Sequence, residues 1–246
     1  MRYPPVKAHY AEMDPVEDAG ALVRARFPAA LAAFLGGGIL SELRTPTSDL
    51  DIVVLVADPS APFRESVIWR HWPVELFVQR PDTIAKWFAK DLARHRPSLA
   101  RMCADGVLLF DTDGTGIEVR DQAAAVLSAG PPTLDPADLD RRRYGLSDLL
   151  DDLAGSSDHG EIVLICMSIL RETAELALLV DGHWLGGGKW LLRELRAVDP
   201  QLADELIEAH GDPARLADLA EGVLARAGGR LWAGYRRHGN SSQPTW

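Results

Sequence analysis

The segment that most restricts how this chain folds is Asp49-Leu50-Asp51-Ile52-Val53-Val54-Leu55-Val56. Isoleucine and valine dominate it, and neither glycine nor proline interrupts it, which predicts a strand. Side chains alternate along a strand, so Leu50, Ile52, Val54 and Val56 share one face. Asp49, Asp51, Val53 and Leu55 share the other. Both faces are apolar beyond the first residues, as expected of a strand in the middle of a sheet covered on both sides. The two carboxylates stand together at the strand's start. Like charges held that close repel and require a cation between them. Oxygen donors with no His or Cys nearby favour a hard ion, Mg²⁺.

Upstream lies Phe34-Leu35-Gly36-Gly37-Gly38. Consecutive glycines let backbone approach a ligand closely and leave N–H groups to cradle phosphate, which makes Gly37 and Gly38 candidate nucleotide contacts. The turn and the Asp49-x-Asp51 strand are eleven residues apart, from 38 to 49. This combination resembles the signature of the nucleotidyltransferase superfamily, the DNA polymerase β-like fold. The lead-in Thr45-Pro46-Thr47-Ser48 is similar to that of small-molecule nucleotidyltransferases and adds Ser48 to the candidates. The chain departs from the pattern at the turn. Gly38 stands where the family carries Ser, and Glu42 where it carries another Gly; Ser41 and Arg44 are the residues available to replace the missing hydroxyl.

Downstream, Glu65 to Arg70 and Val74 to Gln79 flank His71-Trp72-Pro73 and predict a hairpin. Glu75 opens its second strand. The resemblance implies that a carboxylate from such a strand faces the first two, so Asp49, Asp51 and Glu75 are the expected metal ligands and catalytic carboxylates. Helices are expected over 81–96 and 97–105, an edge strand over 107–110, and a helix through Leu127. Asp111-Thr112-Asp113-Gly114 repeats the Asp-x-Asp spacing, but there the strand precedes the acids, which marks turn chemistry.

Ser128 to Thr133 is the clearest linker, dividing residues 1–128 from 129–246. Beyond it the pattern is helical throughout: 136–153, 161–180, 189–198, 200–209 and 213–238. The 161–180 helix is apolar nearly all round, as the buried centre of a bundle would be. The expected fold class is therefore α+β, a nucleotidyltransferase mixed sheet with flanking helices followed by an all-α bundle. This second half resembles that of the kanamycin nucleotidyltransferases. By that resemblance Asp152, before Leu153-Ala154-Gly155, takes the place of the general base, with Asp148 one turn earlier on the same face. Lys189, beside Gly186 to Gly188, is a candidate contact for phosphate or carboxylate.

The formal net charge of −10 argues against a nucleic-acid backbone as partner. It suits a cationic small substrate. Residues Met1 to Pro5 lack the apolar core of a signal peptide, and no apolar run is long enough to span a bilayer. Cys103 and Cys166 lie far apart in apolar contexts, as reduced core thiols do, which points to the cytoplasm. No Cys or Ser sits in a nucleophile motif, so covalent catalysis has no candidate. The resemblance implies Mg²⁺-dependent transfer of a nucleoside monophosphate, from ATP or another nucleoside triphosphate, to a hydroxyl of an aminoglycoside-like molecule, by an enzyme working as a homodimer. Two alternatives stand beside it. One is an adenylyltransferase that modifies a protein, as in toxin–antitoxin pairs. The other is a nucleotide-binding relative with weak catalysis.

Overall fold

The computed structural model describes residues 14–42 and 44–237. The expectations placed on Met1 to Pro5 and on position 238, the expected end of the last helix, lie outside the described residues. The chain divides into two compact units, Met1–Gly130 and Pro131–Trp246.

The first unit opens with α1 (Pro15–Arg26), whose N-cap Asp14 accepts from the N–H groups of Val16 and Glu17. Five strands follow in a mixed sheet: β1 (Ala32–Gly36), β2 (Leu50–Leu55), β3 (Phe63–Trp69), β4 (Trp72–Gln79) and β5 (Val107–Asp111). Their spatial order is β3-β4-β2-β1-β5. β2 is central, parallel to β4 and antiparallel to β1. Helices α2 (Ile84–Leu92), α3 (Ser98–Ala104) and α4 (Thr115–Ser128) complete the unit.

Alternation along β2 sorts its side chains into two cores. Leu50, Ile52, Val54 and Val56 pack with Leu76 and Val78 of β4 and with Ala19, Leu22 and Val23 of α1. Val53 and Leu55 pack on the opposite face with Ile84 and Phe88 of α2, Met102 and Cys103 of α3 and Val119 of α4. Val53 and Leu55 are completely buried. Asp51 lies on this second face, where the helical cover stops short and leaves it half-buried. Burial pushes the Cys103 thiol up to about 12, against a smaller opposing pull from Arg120. It also raises the Cys166 thiol. Both are free.

All regular elements described in the second unit are helical: α5 (Pro136–Gly155), α6 (His159–Val180), α7 (Lys189–Val198), α8 (Pro200–Glu208), a 3₁₀ turn at Ala209–Gly211, and α9 (Pro213–Arg226). Asp-Pro pairs start α5, α8 and α9, the aspartate capping N–H groups and the proline holding the first helical φ. Among the described residues no helix is long and apolar enough to cross a membrane.

Several expected boundaries move. The segment after the glycine turn forms a 3₁₀ turn, Gly38–Leu40. The last helix ends at Arg226, far short of 238. Gly228 and Gly229 have φ of +104° and +84°, and the Gly229 N–H bonds Leu224 O while Gly228 N–H bonds Ala225 O. That paired arrangement closes a helix with glycine in the left-handed region. The chain beyond it lies along α5. Arg143 donates to the Gly228 and Gly229 carbonyls, the Leu231 N–H bonds the Ser147 hydroxyl, and Trp232 and Tyr235 stack on Tyr144. Helix α6 is buried continuously only over its second half, with Cys166 and Ile169 the buried residues of its first. Thr173 through Leu179 lie inside, while Leu164 and Met167 are 67% and 65% exposed.

Candidate functional site

Parallel pairing of β2 with β4 places Asp51 opposite Glu75. Directly paired residues point to the same face, and Asp49, two residues before Asp51, is on that face as well. One carboxylate oxygen from each of Asp49, Asp51 and Glu75 lies within 4.8 Å of the others, and all three groups are half-buried. Three anionic oxygens within that span are close enough to share one cation, and an all-carboxylate set selects a hard divalent ion.

The glycine run has a different task at each position. Gly36 pairs with Asp51 across β1 and β2, and a Cβ there would lie 2.7 Å from Met102 Cγ, so its bareness admits α3. Gly37 has φ +79°, and a Cβ there would stand 2.0 Å from Asp51 Oδ2. Backbone therefore closes directly on the carboxylate, an approach only glycine permits. Gly38 opens the 3₁₀ turn and its carbonyl accepts from both the N–H and the hydroxyl of Ser41, the latter at 2.9 Å. The Ser41 hydroxyl thus closes the turn. Arg44 is exposed, with its N–H bonded to Ser41 O. Ser48 is 5% exposed, and its hydroxyl accepts from the Thr45 N–H at 2.9 Å. It fixes the turn that delivers Asp49 to the start of β2.

One residue at this site is missing from the sequence reading. Arg64 of β3 forms an ion pair with Glu75 and lies over the Phe77 ring, 4.7 Å from its centroid. β3 and β4 are antiparallel with Arg64 opposite Phe77 and Ser66 opposite Glu75, so Arg64 and Glu75 are diagonal neighbours on one face. Beginning the strand at Glu65 left Arg64 outside it. The alternation Arg64, Ser66, Ile68 against Pro73, Glu75, Phe77 is the signal that finds it.

In the second unit Asp152 is exposed on α5. It borders a depression of about 520 Å³ together with Asp151, Ser156, Glu161 and Leu164. Its neighbour Asp151 is bound to Arg230 at 2.6 Å. Asp148 is half-buried on the same helix, and Lys189 is exposed at the first position of α7.

The second Asp-x-Asp pair is built differently. Asp111 accepts hydrogen bonds from the N–H groups of Gly114, Gly116 and Ile117 at the start of α4. Burial pushes its carboxyl up, but those N–H groups outweigh that and hold it below its ordinary 3.8. Asp113 accepts from the Thr115 N–H.

No protein-family model matches the chain. No curated protein matches it either. Among solved structures it is similar to a nucleotidyltransferase-like protein from Exiguobacterium sibiricum, at 14% identity and a TM-score of 0.43, over 87% of this chain and 77% of that one.

Proposed function

We propose that this chain is a divalent-metal-dependent nucleotidyltransferase that moves a nucleoside monophosphate, from ATP, onto a hydroxyl of a cationic small molecule. The observation that carries the reading is the convergence of Asp49, Asp51 and Glu75 within 4.8 Å, with the Gly37 backbone closed against Asp51. The donor chemistry fits Mg²⁺: carboxylate oxygens only, half-buried, at the start of β2 and within the adjacent parallel strand β4. Asp49 and Asp51 would hold the ion and Glu75 would complete its shell. When bound, the ion supplies positive charge to the triphosphate under attack and to the departing pyrophosphate.

The remaining work falls to the chain itself. Asp49 and Asp51 fix the nucleotide's position, and positioning supplies much of the rate in phosphoryl chemistry. Backbone at Gly37 and Gly38 lies beside the carboxylates and, with Ser48 and Arg44, is our candidate phosphate contact. Lys189 is a further candidate. The acceptor oxygen attacks the α-phosphorus, the bond to the β-phosphate oxygen breaks, and the hydroxyl proton passes to a base. We assign that base to Asp152, whose carboxylate makes no ion pair or hydrogen bond among the described residues. An aminoglycoside-type acceptor suits the net charge of −10, and a homodimer is the assembly we propose.

A second reading is a nucleotide-binding relative with weak turnover. Two facts at the turn favour it: Gly38 has no hydroxyl, and the Ser41 hydroxyl is bonded to the Gly38 carbonyl. Thermal shifts with ATP, GTP, CTP and UTP, each with and without Mg²⁺, test what both readings share. Binding of one nucleotide that depends on metal supports them, and its absence for all four overturns both. Mass spectrometry of an aminoglycoside panel incubated with that nucleotide then separates them. Transfer adds one nucleoside monophosphate to the acceptor, while the weak relative leaves it unmodified.

A further inference from the structure

Arg64 is bonded to a carboxylate that the metal reading needs. Its guanidinium contacts Glu75, and its side chain is 58% exposed against 30% for Glu75. The Phe77 ring lies under the same guanidinium in a cation–π contact.

We propose that Arg64 is the counter-cation of Glu75 in the metal-free protein, that a divalent ion competes with it for Glu75, and that the released guanidinium takes a phosphate of the incoming nucleotide. This rests on the nucleotidyltransferase reading above and adds to it a residue that links metal loading to nucleotide capture. Three features support the hand-over. Arg64 and Glu75 sit on neighbouring strands of one face, so a guanidinium leaving Glu75 stays beside the triad. The pair is half in solvent, where an ion pair contributes little and exchanges readily. A guanidinium also presents a planar fork of donors that fits phosphate oxygens as well as it fits a carboxylate.

The test compares wild type with Arg64→Gln, which keeps a polar stem over Phe77, and with Arg64→Lys, which keeps the charge. Mn²⁺ is titrated first without nucleotide, followed by electron paramagnetic resonance of the free ion. Arg64→Gln should bind Mn²⁺ about two- to fivefold tighter, the range expected when an exposed ion pair stops competing. Arg64→Lys should stay near wild type. An ATP analogue with a methylene group between the α- and β-phosphorus is titrated next, at saturating Mn²⁺. There Arg64→Gln should bind about three- to tenfold more weakly, because a charge-assisted bond is lost. The opposite directions are the signature, since mere disturbance of the strand would weaken both. Unchanged or weaker Mn²⁺ binding, or unchanged binding of the analogue, overturns the proposal. A wild-type chain that binds no Mn²⁺ overturns the metal reading itself, whereas Mn²⁺ binding indifferent to Arg64 overturns only the hand-over.

Discussion

Two Asp-x-Asp pairs stand at sheet ends in this protein, and they are built for opposite purposes. Asp49 and Asp51 precede and open β2, and Glu75 joins them from β4. Asp111 closes β5, and its carboxylate is filled by N–H groups of Gly114, Gly116 and Ile117. Motif and spacing are the same; the surroundings differ. At β5 the chain turns straight into a helix whose first N–H groups need acceptors, so the carboxylate is satisfied internally. At β2 the neighbouring backbone is a glycine turn and the neighbouring side chain another acid, so three carboxylates gather within the span of one metal ion. The contrast recurs on α5 between Asp151, bound to Arg230, and Asp152.

The strongest way to break this comparison is to neutralise each pair in turn. Asp51→Asn and Asp49→Asn should each eliminate nucleotide transfer, by more than the 10²- to 10⁴-fold that loss of a general base produces. Tm should stay the same or rise, since repulsion between carboxylates is relieved. Steady-state turnover with differential scanning calorimetry checks both parts, and turnover retained in either variant would remove the metal role.

On α5, Asp152→Asn should lower turnover about 10²- to 10⁴-fold with nucleotide affinity unchanged, while Asp151→Asn should leave turnover near wild type. Kinetics of the two variants side by side provide the control, because both lie on one helix and, among the described residues, Asp151 pairs with Arg230 while the Asp152 carboxylate does not pair. Equal behaviour returns Asp152 to an ordinary solvated position and leaves Glu75 as the better base.

A smaller effect is expected at Gly37. Gly37→Ala forces a Cβ against Asp51 Oδ2 and demands φ +79° of an alanine, a backbone cost of about 1 kcal/mol. Mn²⁺ affinity should fall along with Tm, read by metal titration and thermal melting together. Loss of stability with intact metal binding would show that the close approach serves folding alone.

The smallest change is expected at the satisfied pair. Asp111→Ala should reduce stability by about 1 kcal/mol, the usual loss of a helix cap, with metal binding untouched. The pH dependence has a definite sign. Since the folded carboxyl titrates below its ordinary 3.8, its contribution is present above that value and disappears as pH falls through the lower, folded one. Denaturant melts of wild type and variant from neutral pH downward should therefore converge in acid.

How much of this was legible in the residues follows from the range of the signals. Period-two alternation is local, so the two faces of β2 and the separation of its side chains into two cores could be read from eight residues. That Glu75 faces Asp51 depends on a parallel pairing across 24 positions, from 51 to 75, and only the resemblance suggested it. Arg64 escapes the sequence because hairpin register is fixed at the turn, where Arg70 adopts φ +54°, and the strand starts at Phe63, two residues before the expected Glu65. The end of α9 was visible in Gly228-Gly229, but Trp232 and Tyr235 continued the apolar spacing and masked it. Those rings pack on Tyr144 from a non-helical segment. The exposure of Leu164 and Met167 in the first half of α6 was illegible for another reason: apolar composition does not reveal what covers it.

The central claim is that three carboxylates converge to hold one divalent ion, and Mn²⁺ binding measures it most directly. Titration of the nucleotide-free protein, read by electron paramagnetic resonance, should show one site in wild type and in Asp111→Ala. Asp51→Asn should abolish it. Mn²⁺ binding that survives in Asp51→Asn, or that disappears in Asp111→Ala, would contradict the account.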